Sequence, residues 1–161
     1  MYTVDVVVET PRGSKYKYKF DEEQKRFRVK KILPSGLAFP YDFGFIPGTR
    51  GDDGDPLDIL IISEDSFLHG SIVQCEIIGA IKASQTFDDE TVRNDRIIGV
   101  PVMTMEKDKD VTLEDFSKQK IKELENFFIY YNKMEKKEFK PLGILSEKET
   151  WKMIREESEI A

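Results

Sequence analysis

The chain has 161 residues, 39% hydrophobic and 35% charged, with a formal net charge of −6. That length fits one domain, 1–161, with a sizeable core, and the eleven Phe and six Tyr argue against disorder. The acidic balance disfavours broad nucleic-acid contact, which needs a basic face, and no apolar stretch approaches the roughly 18 residues of a membrane helix.

The first two-thirds reads as strands. Tyr2 to Val8 is rich in Val, and Lys15 to Phe20 alternates lysine with Tyr16, Tyr18 and Phe20, which predicts one wet and one buried face. Phe27 to Leu33 is a third strand candidate, broken by Pro34-Ser35-Gly36. Pro40 to Gly48 reads as an aromatic, glycine-rich loop. Ile59-Leu60-Ile61-Ile62 predicts a strand buried on both faces. Ser71 to Ala83 and Arg96 to Met105 are further strands, with the acidic turn Asp88-Asp89-Glu90 between them. From Thr112, the positions Ile121, Leu124, Phe127, Phe128, Tyr131 and Met134 recur mostly at steps of three or four, one apolar stripe on a helix. Lys136 to Lys140 reads as a solvated turn from which one lysine could reach a phosphate pocket. A second helix starts at Ser146, with Glu149 completing a capping box and Trp151 and Ile154 facing the core. The sum is a mainly β, α+β arrangement: an OB-like barrel with two C-terminal helices.

Cys75 is the only cysteine, so no intrachain disulfide forms, and with no signal peptide visible a cytoplasmic setting is expected. His69 is the only histidine, which removes multi-His metal sites and favours a plain loop residue. Ser63 and Ser66 lack a nucleophile-elbow context.

Asp52, Asp53, Asp55 and Asp58 place four carboxylates within seven residues. Such crowding raises the energy of the fold unless cations offset it. Hard Mg²⁺, with Mn²⁺ as the alternative, prefers carboxylate and water oxygens. Gly54 allows a tight turn, Pro56 removes a backbone donor, and the apolar run after Asp58 anchors the loop on a rigid strand. A solvated acidic turn is the bland alternative. An EF-hand fails, because Asp58 stands where that loop needs Gly.

The segment Asp53-Gly54-Asp55-Pro56-Leu57-Asp58 resembles the signature of the soluble, metal-dependent, OB-barrel inorganic pyrophosphatases. Phe39 to Thr49 is similar to the family's aromatic segment; Val8-Glu9-Thr10-Pro11 with Lys17-Tyr18 resembles its N-terminal strands. Gly79-Ala80-Ile81 and Ile98-Gly99-Val100-Pro101 resemble its later strands, and Phe127-Phe128 with Tyr131 its C-terminal helix. The resemblance implies a five-stranded barrel with additional strands. It also implies attack of water on pyrophosphate, with metal ions neutralising phosphate oxygens and lowering the water's pKa, and Lys and Arg stabilising the leaving phosphate. By the same resemblance Asp53 and Asp58 hold activating metals and Asp55 accepts the water's proton. Asp89 holds metals arriving with substrate, Glu9 helps through bound water, and Lys17 and Tyr131 contact phosphate.

Seven polar positions depart from the family. Lys19 stands for Glu, Lys31 for Arg, Phe39 and Phe43 for Tyr, Asn94 for Asp, Arg96 for Lys, and Asn132 for Lys. Lys31 and Arg96 keep their charge and so their place at phosphate. Asn94 still offers a metal a carbonyl oxygen. Each lost Tyr hydroxyl predicts an unsatisfied partner. The site is about two units less negative than the family's, which predicts weaker metal affinity; Lys19 is expected to replace part of a metal's role. The competing readings are a hydrolase of a larger phosphoanhydride, a non-catalytic homologue that binds metal or phosphate, and a single-strand nucleic-acid module. The short chain favours the hexamers of compact bacterial members over the dimers of larger eukaryotic ones.

Overall fold

The structure, a computed structural model, describes residues 2–52, 54–104, 113 and 116–158. The strands are β1 (Thr3–Thr10), β2 (Tyr16–Asp21), β3 (Arg26–Ile32), β4 (Asp42–Phe45), β5 (Asp58–Ile61), β6 (Ile72–Phe87), β7 (Glu90–Arg93), β8 (Arg96–Pro101) and β9 (Glu138–Leu145). The helices are α1 (Lys118–Met134) and α2 (Glu147–Glu156). The expected strand end at Met105 and helix start at Thr112 lie outside the described residues; α1 begins after the N-cap Ser117, whose hydroxyl accepts from Lys120 N.

The sheet closes on itself. β1 pairs with β4, β4 with β5, β5 with β8, β8 with β6, and β6 returns to β1. This five-stranded ring is the expected OB-like barrel, extended by β7 and β9 on the far part of β6. Closure removes the open edges that would otherwise template aggregation. The long β6 serves both parts because it bulges between Ile77 and Gly79. Gly79 has φ 149°, and a Cβ there would stand 2.7 Å from the Leu145 carbonyl oxygen.

Alternation along the strands builds two cores. Ile59, Ile61, Val6, Val8, Cys75, Ile77 and Ile97 fill the barrel, closed by Ile154 and Trp151 of α2. Leu60, Ile62, Ile78 and Ile98 face outward and are covered by Leu124, Phe127, Phe128 and Tyr131 of α1. The expected double-sided burial of β5 follows from this: one face meets the barrel, the other α1. The Ser146–Glu149 capping box opens α2 as expected.

Three strands are absent from the sequence reading. β4 lies inside the presumed loop; Gly44 permits it, because a Cβ would come 2.5 Å from the Val7 carbonyl oxygen and strike Val6. β7 follows a two-residue turn in which Asp88 and Asp89 are both left-handed, at φ 52° and 66°, the geometry a tight hairpin needs. β9 occupies much of the presumed lysine turn, its Pro141 tolerated on an outer strand. β2 shows six half-buried residues rather than one wet and one buried face. Among the described residues it pairs only with β3, and this hairpin leans on the barrel: Phe20 meets Phe45, and Tyr18 meets His69. No helix among the described residues is long and apolar enough to cross a membrane.

Candidate active site

A cleft of about 510 Å³ opens between the β2–β3 hairpin, the acidic loop, the first residues of β5 and β8, and the end of α1. Its described lining carries as many carboxylates (Glu9, Glu22, Asp55, Asp58, Glu135) as cations (Lys17, Lys19, Arg50, Arg96, Lys137).

The acidic loop is pinned locally. Gly51 N donates to Asp55 O at 2.8 Å and Gly54 N to Gly51 O at 3.0 Å, with Gly54 at φ 84°. Thr49 Oγ1 donates to Ile46 O at 2.6 Å and accepts from Leu57 N at 3.0 Å, so both ends of the loop are fixed to one side chain. Arg50 Nη1 donates to Gly54 O. Asp58 is the first residue of β5 and Arg96 the first of β8. These strands run parallel with Ile59 opposite Ile97, so the two side chains meet. Arg96 Nη1 donates to Asp58 Oδ2 at 2.7 Å, and its guanidinium lies 4.8 Å from the Phe128 ring centre. Lys19 Nζ stands 3.2 Å from Asp55 Oδ1. Each of these carboxylates thus already has a protein cation.

Glu9 accepts from Phe20 N at 3.0 Å, holding β2 across β1. Burial pushes its pKa up to about 7; the Phe20 hydrogen bond opposes this, Asp58 adds to it, and Lys17 and Lys19 oppose it. Lys17 and Lys31 face each other directly across β2 and β3, an arrangement that repulsion disfavours. Both ammonium groups lie 5.1 Å from the Tyr131 ring centre. Burial raises the Tyr131 pKa, with Lys17 pulling the other way. Two buried atoms of this cluster, Tyr131 Oη and Arg96 Nε, have no hydrogen-bond partner among the described residues. Phe39 and Phe43, where hydroxyls were expected to be missed, pack in the same cluster; Phe39 contacts Phe43, Phe127 and Tyr131.

Of the expected site residues, Glu9, Lys17, Asp55, Asp58, Asn94, Arg96 and Tyr131 line this one cleft, and Lys31 lies beside it over Tyr131. Asp53 lies outside the described residues. Asp89 is not in the lining: the tight β6–β7 turn holds it at an exposed tip. Asn94 donates from Nδ2 to Gln85 Oε1 at 2.7 Å. The neighbouring Asp95 cannot replace it, because its carboxylate is held by Ala83 N and Arg93. Asp42, inside the aromatic segment, is structural. It is 1% exposed and accepts from Arg12 N, Ser66 Oγ and Phe67 N. Sequence reasoning missed Arg50, Gln85, Glu22 and Glu135. Adjacency to the acidic loop could have flagged Arg50, but nothing local marks the others.

A family model described as inorganic pyrophosphatase matches residues 6–160. The chain belongs to the inorganic pyrophosphatase family. It is 34% identical over 140 residues to an inorganic pyrophosphatase of Synechocystis, covering 87% of this chain and 80% of the relative. The Geobacillus stearothermophilus enzyme is 32% identical, with 83% and 79% covered. Among solved structures, an inorganic pyrophosphatase from Thermus thermophilus superimposes with a TM-score of 0.85 at 29% identity, covering 95% of this chain and 87% of that one.

Inorganic pyrophosphatases are metal-dependent, and the donors here can be tested for fit. Glu9, Asp55, Asp58 and the Asn94 carbonyl offer only oxygen, the chemistry a hard divalent cation takes. Among the described residues no three His, Cys, Asp or Glu side chains gather as a ligand group. The donor type fits a hard cation, then, with Lys19 and Arg96 already sharing the carboxylates.

Proposed function

We propose that this protein hydrolyses inorganic pyrophosphate to two phosphates with Mg²⁺, or in its place Mn²⁺. One observation carries the reading. A single cleft gathers the carboxylates of Glu9, Asp55 and Asp58 with Lys17 and Arg96, Arg96 paired to Asp58, and Lys31 stands beside it with Lys17 over Tyr131. Asp53 and Asp58, with Glu9 and the Asn94 carbonyl, would hold the metal. When bound, it neutralises phosphate oxygens and lowers the pKa of water.

The chain's own groups divide the remaining work. Asp55, at the open edge of the cleft, accepts the proton of the attacking water. Lys17, Lys31 and Arg96 stabilise negative charge on the departing phosphate. The Tyr131 hydroxyl proton and Arg96 Nε, for which the described residues supply no acceptor, are donors that an anion's oxygens would satisfy. The charge-balanced lining lets a polyanion enter a molecule whose net charge is −6. Asp89, at the exposed β6–β7 turn, would carry substrate-borne metal only if that hairpin moves.

A second reading, a homologue that binds phosphate without turnover, draws on the Lys19–Asp55 and Arg96–Asp58 ion pairs. Phosphate release from pyrophosphate, with and without Mg²⁺, separates the two. The hydrolase reading expects metal-dependent release that falls at least about a hundredfold in Asp55→Asn, the scale of a lost general base. Release that survives that change unaltered would point to a contaminant. The residues 1–161 form one such domain, cytoplasmic and assembled as a homo-oligomer, a hexamer in preference to a dimer. Exposed apolar side chains such as Leu68 and Ile72 agree with assembly, and sedimentation velocity reads the subunit number.

A further inference from the structure

Among the lysines of the cleft stands a carboxylate that the proposed reaction does not use. Glu135 is the C-cap of α1, where the exposed helix carbonyls disfavour an anion. Local helix energetics therefore do not account for it. Its two oxygens bridge two ammonium groups: Oε1 contacts Lys31 and Oε2 lies 3.2 Å from Lys137. A carboxylate spanning two cations in this way has the shape of two non-bridging oxygens of a phosphate.

Lys137 reaches the cleft through the turn between α1 and β9. Lys136 takes a left-handed conformation at φ 60°, and Lys137 N donates to Asn132 O at 3.0 Å. The turn places Lys137 in the cleft lining. Asn132 is 2% exposed and donates its Nδ2 to the Phe128 carbonyl at 2.8 Å. No cation comes from that position. Lys137 stands one turn further along and supplies one. With Lys31 it makes two ammonium groups on one carboxylate, and Lys17 stands opposite Lys31 across β2 and β3.

We propose, building on the phosphoanhydride reading of the cleft, that Lys137 is a substrate-binding residue and that Glu135 is its resident stand-in anion. A phosphate, with more charge than a carboxylate, displaces Glu135 from between Lys31 and Lys137. Burial and the ammonium groups of Lys17 and Lys137 depress the Lys31 pKa to about 8. The crowding of like charge is what an incoming anion relieves.

The test is calorimetric binding of inorganic phosphate, with the KM for pyrophosphate measured in parallel. Lys137→Met should weaken phosphate binding and raise KM, each about tenfold, the scale of one charge-assisted contact. Lys137→Arg should keep both near the parent. Glu135→Gln should act in the opposite direction, tightening phosphate several-fold and lowering KM. A purely structural ion pair would give both truncations the same sign or no effect, and either result overturns the proposal. Lys137→Gln replaces Lys137→Met if thermal melts show the apolar variant misfolded. If the parent protein releases no phosphate from pyrophosphate, the hydrolase reading falls, while phosphate calorimetry still decides the role of Lys137.

Discussion

Glu9 carries a cost that can be read as a function of pH. Its folded pKa is about 7 against an ordinary 4.5, raised chiefly by burial. Between those values the folded state holds a proton that the unfolded chain has released. Stability therefore falls as pH rises from about 4.5 to about 7, and then levels off. The full span is at most about 3 kcal/mol. Glu9→Gln keeps a carbonyl oxygen for Phe20 N and never ionises. In chelator it should be more stable than the parent at pH 8, by about 2–3 kcal/mol at most, and should match it near pH 4.5. Denaturant titration across that range is the measurement; parallel pH curves would refute the account. At this scale the sequence was informative where chemistry is bunched. Asp55 and Asp58 lie on one short loop, so their crowding alone suggested them, whereas Glu9 and Lys17 were marked only by the family resemblance. Glu135 and Gln85 arrive from a helix end and a distant strand, and no local pattern announces that; the lysine run 136–140 was legible as a source of one cleft lysine, but that it is Lys137 depends on the left-handed turn at Lys136. Asp89 shows the converse: the family resemblance implied a ligand, but the turn that makes β6 and β7 possible holds it outward.

Among the elements, β6 decides the architecture, because it both closes the barrel and carries β7 and β9. Its bulge at Gly79 combines φ 149° with backbone at 2.7 Å from any added Cβ. Gly79→Ala should cost about 2–4 kcal/mol, from left-handed strain together with overpacking. Gly143, at φ 134° on β9 with nothing within 4 Å of an added Cβ, separates the two contributions. Gly143→Ala should lose only the conformational part, about 1 kcal/mol. Equal losses in the two variants, measured by chemical denaturation, would show that packing at the bulge does not matter. The elements legible in the sequence are those whose burial is periodic: Leu124, Phe127, Phe128 and Tyr131 on α1, or the double-faced Ile run of β5. β4 escaped because Gly44 is selected for close backbone approach, which looks like a loop in composition. β9 escaped because an outer strand tolerates Pro141, Gly143 and lysines that would end a central one.

For the whole molecule the question is how an acidic chain keeps carboxylates at the mouth of a closed barrel. Protein cations already do part of this work, with Lys19 beside Asp55 and Arg96 beside Asp58. A divalent cation binding the folded site alone would stabilise the fold by linkage, about 2.7 kcal/mol at a hundred times its Kd. For a chain of this size that is a rise in Tm of roughly 5 °C or more. Lys19→Glu exchanges a neutralising group for a further carboxylate, a change of two charge units beside Asp55. In chelator it should melt below the parent, because like charges then face each other without compensation. With saturating Mg²⁺ or Mn²⁺ it should gain several degrees more than the parent gains, and calorimetry should find tighter metal uptake. Identical metal-induced shifts in the two proteins would mean that Lys19 does not stand in for a cation. The Lys19–Asp55 contact would then be an ordinary surface ion pair of the kind that contributes little to stability.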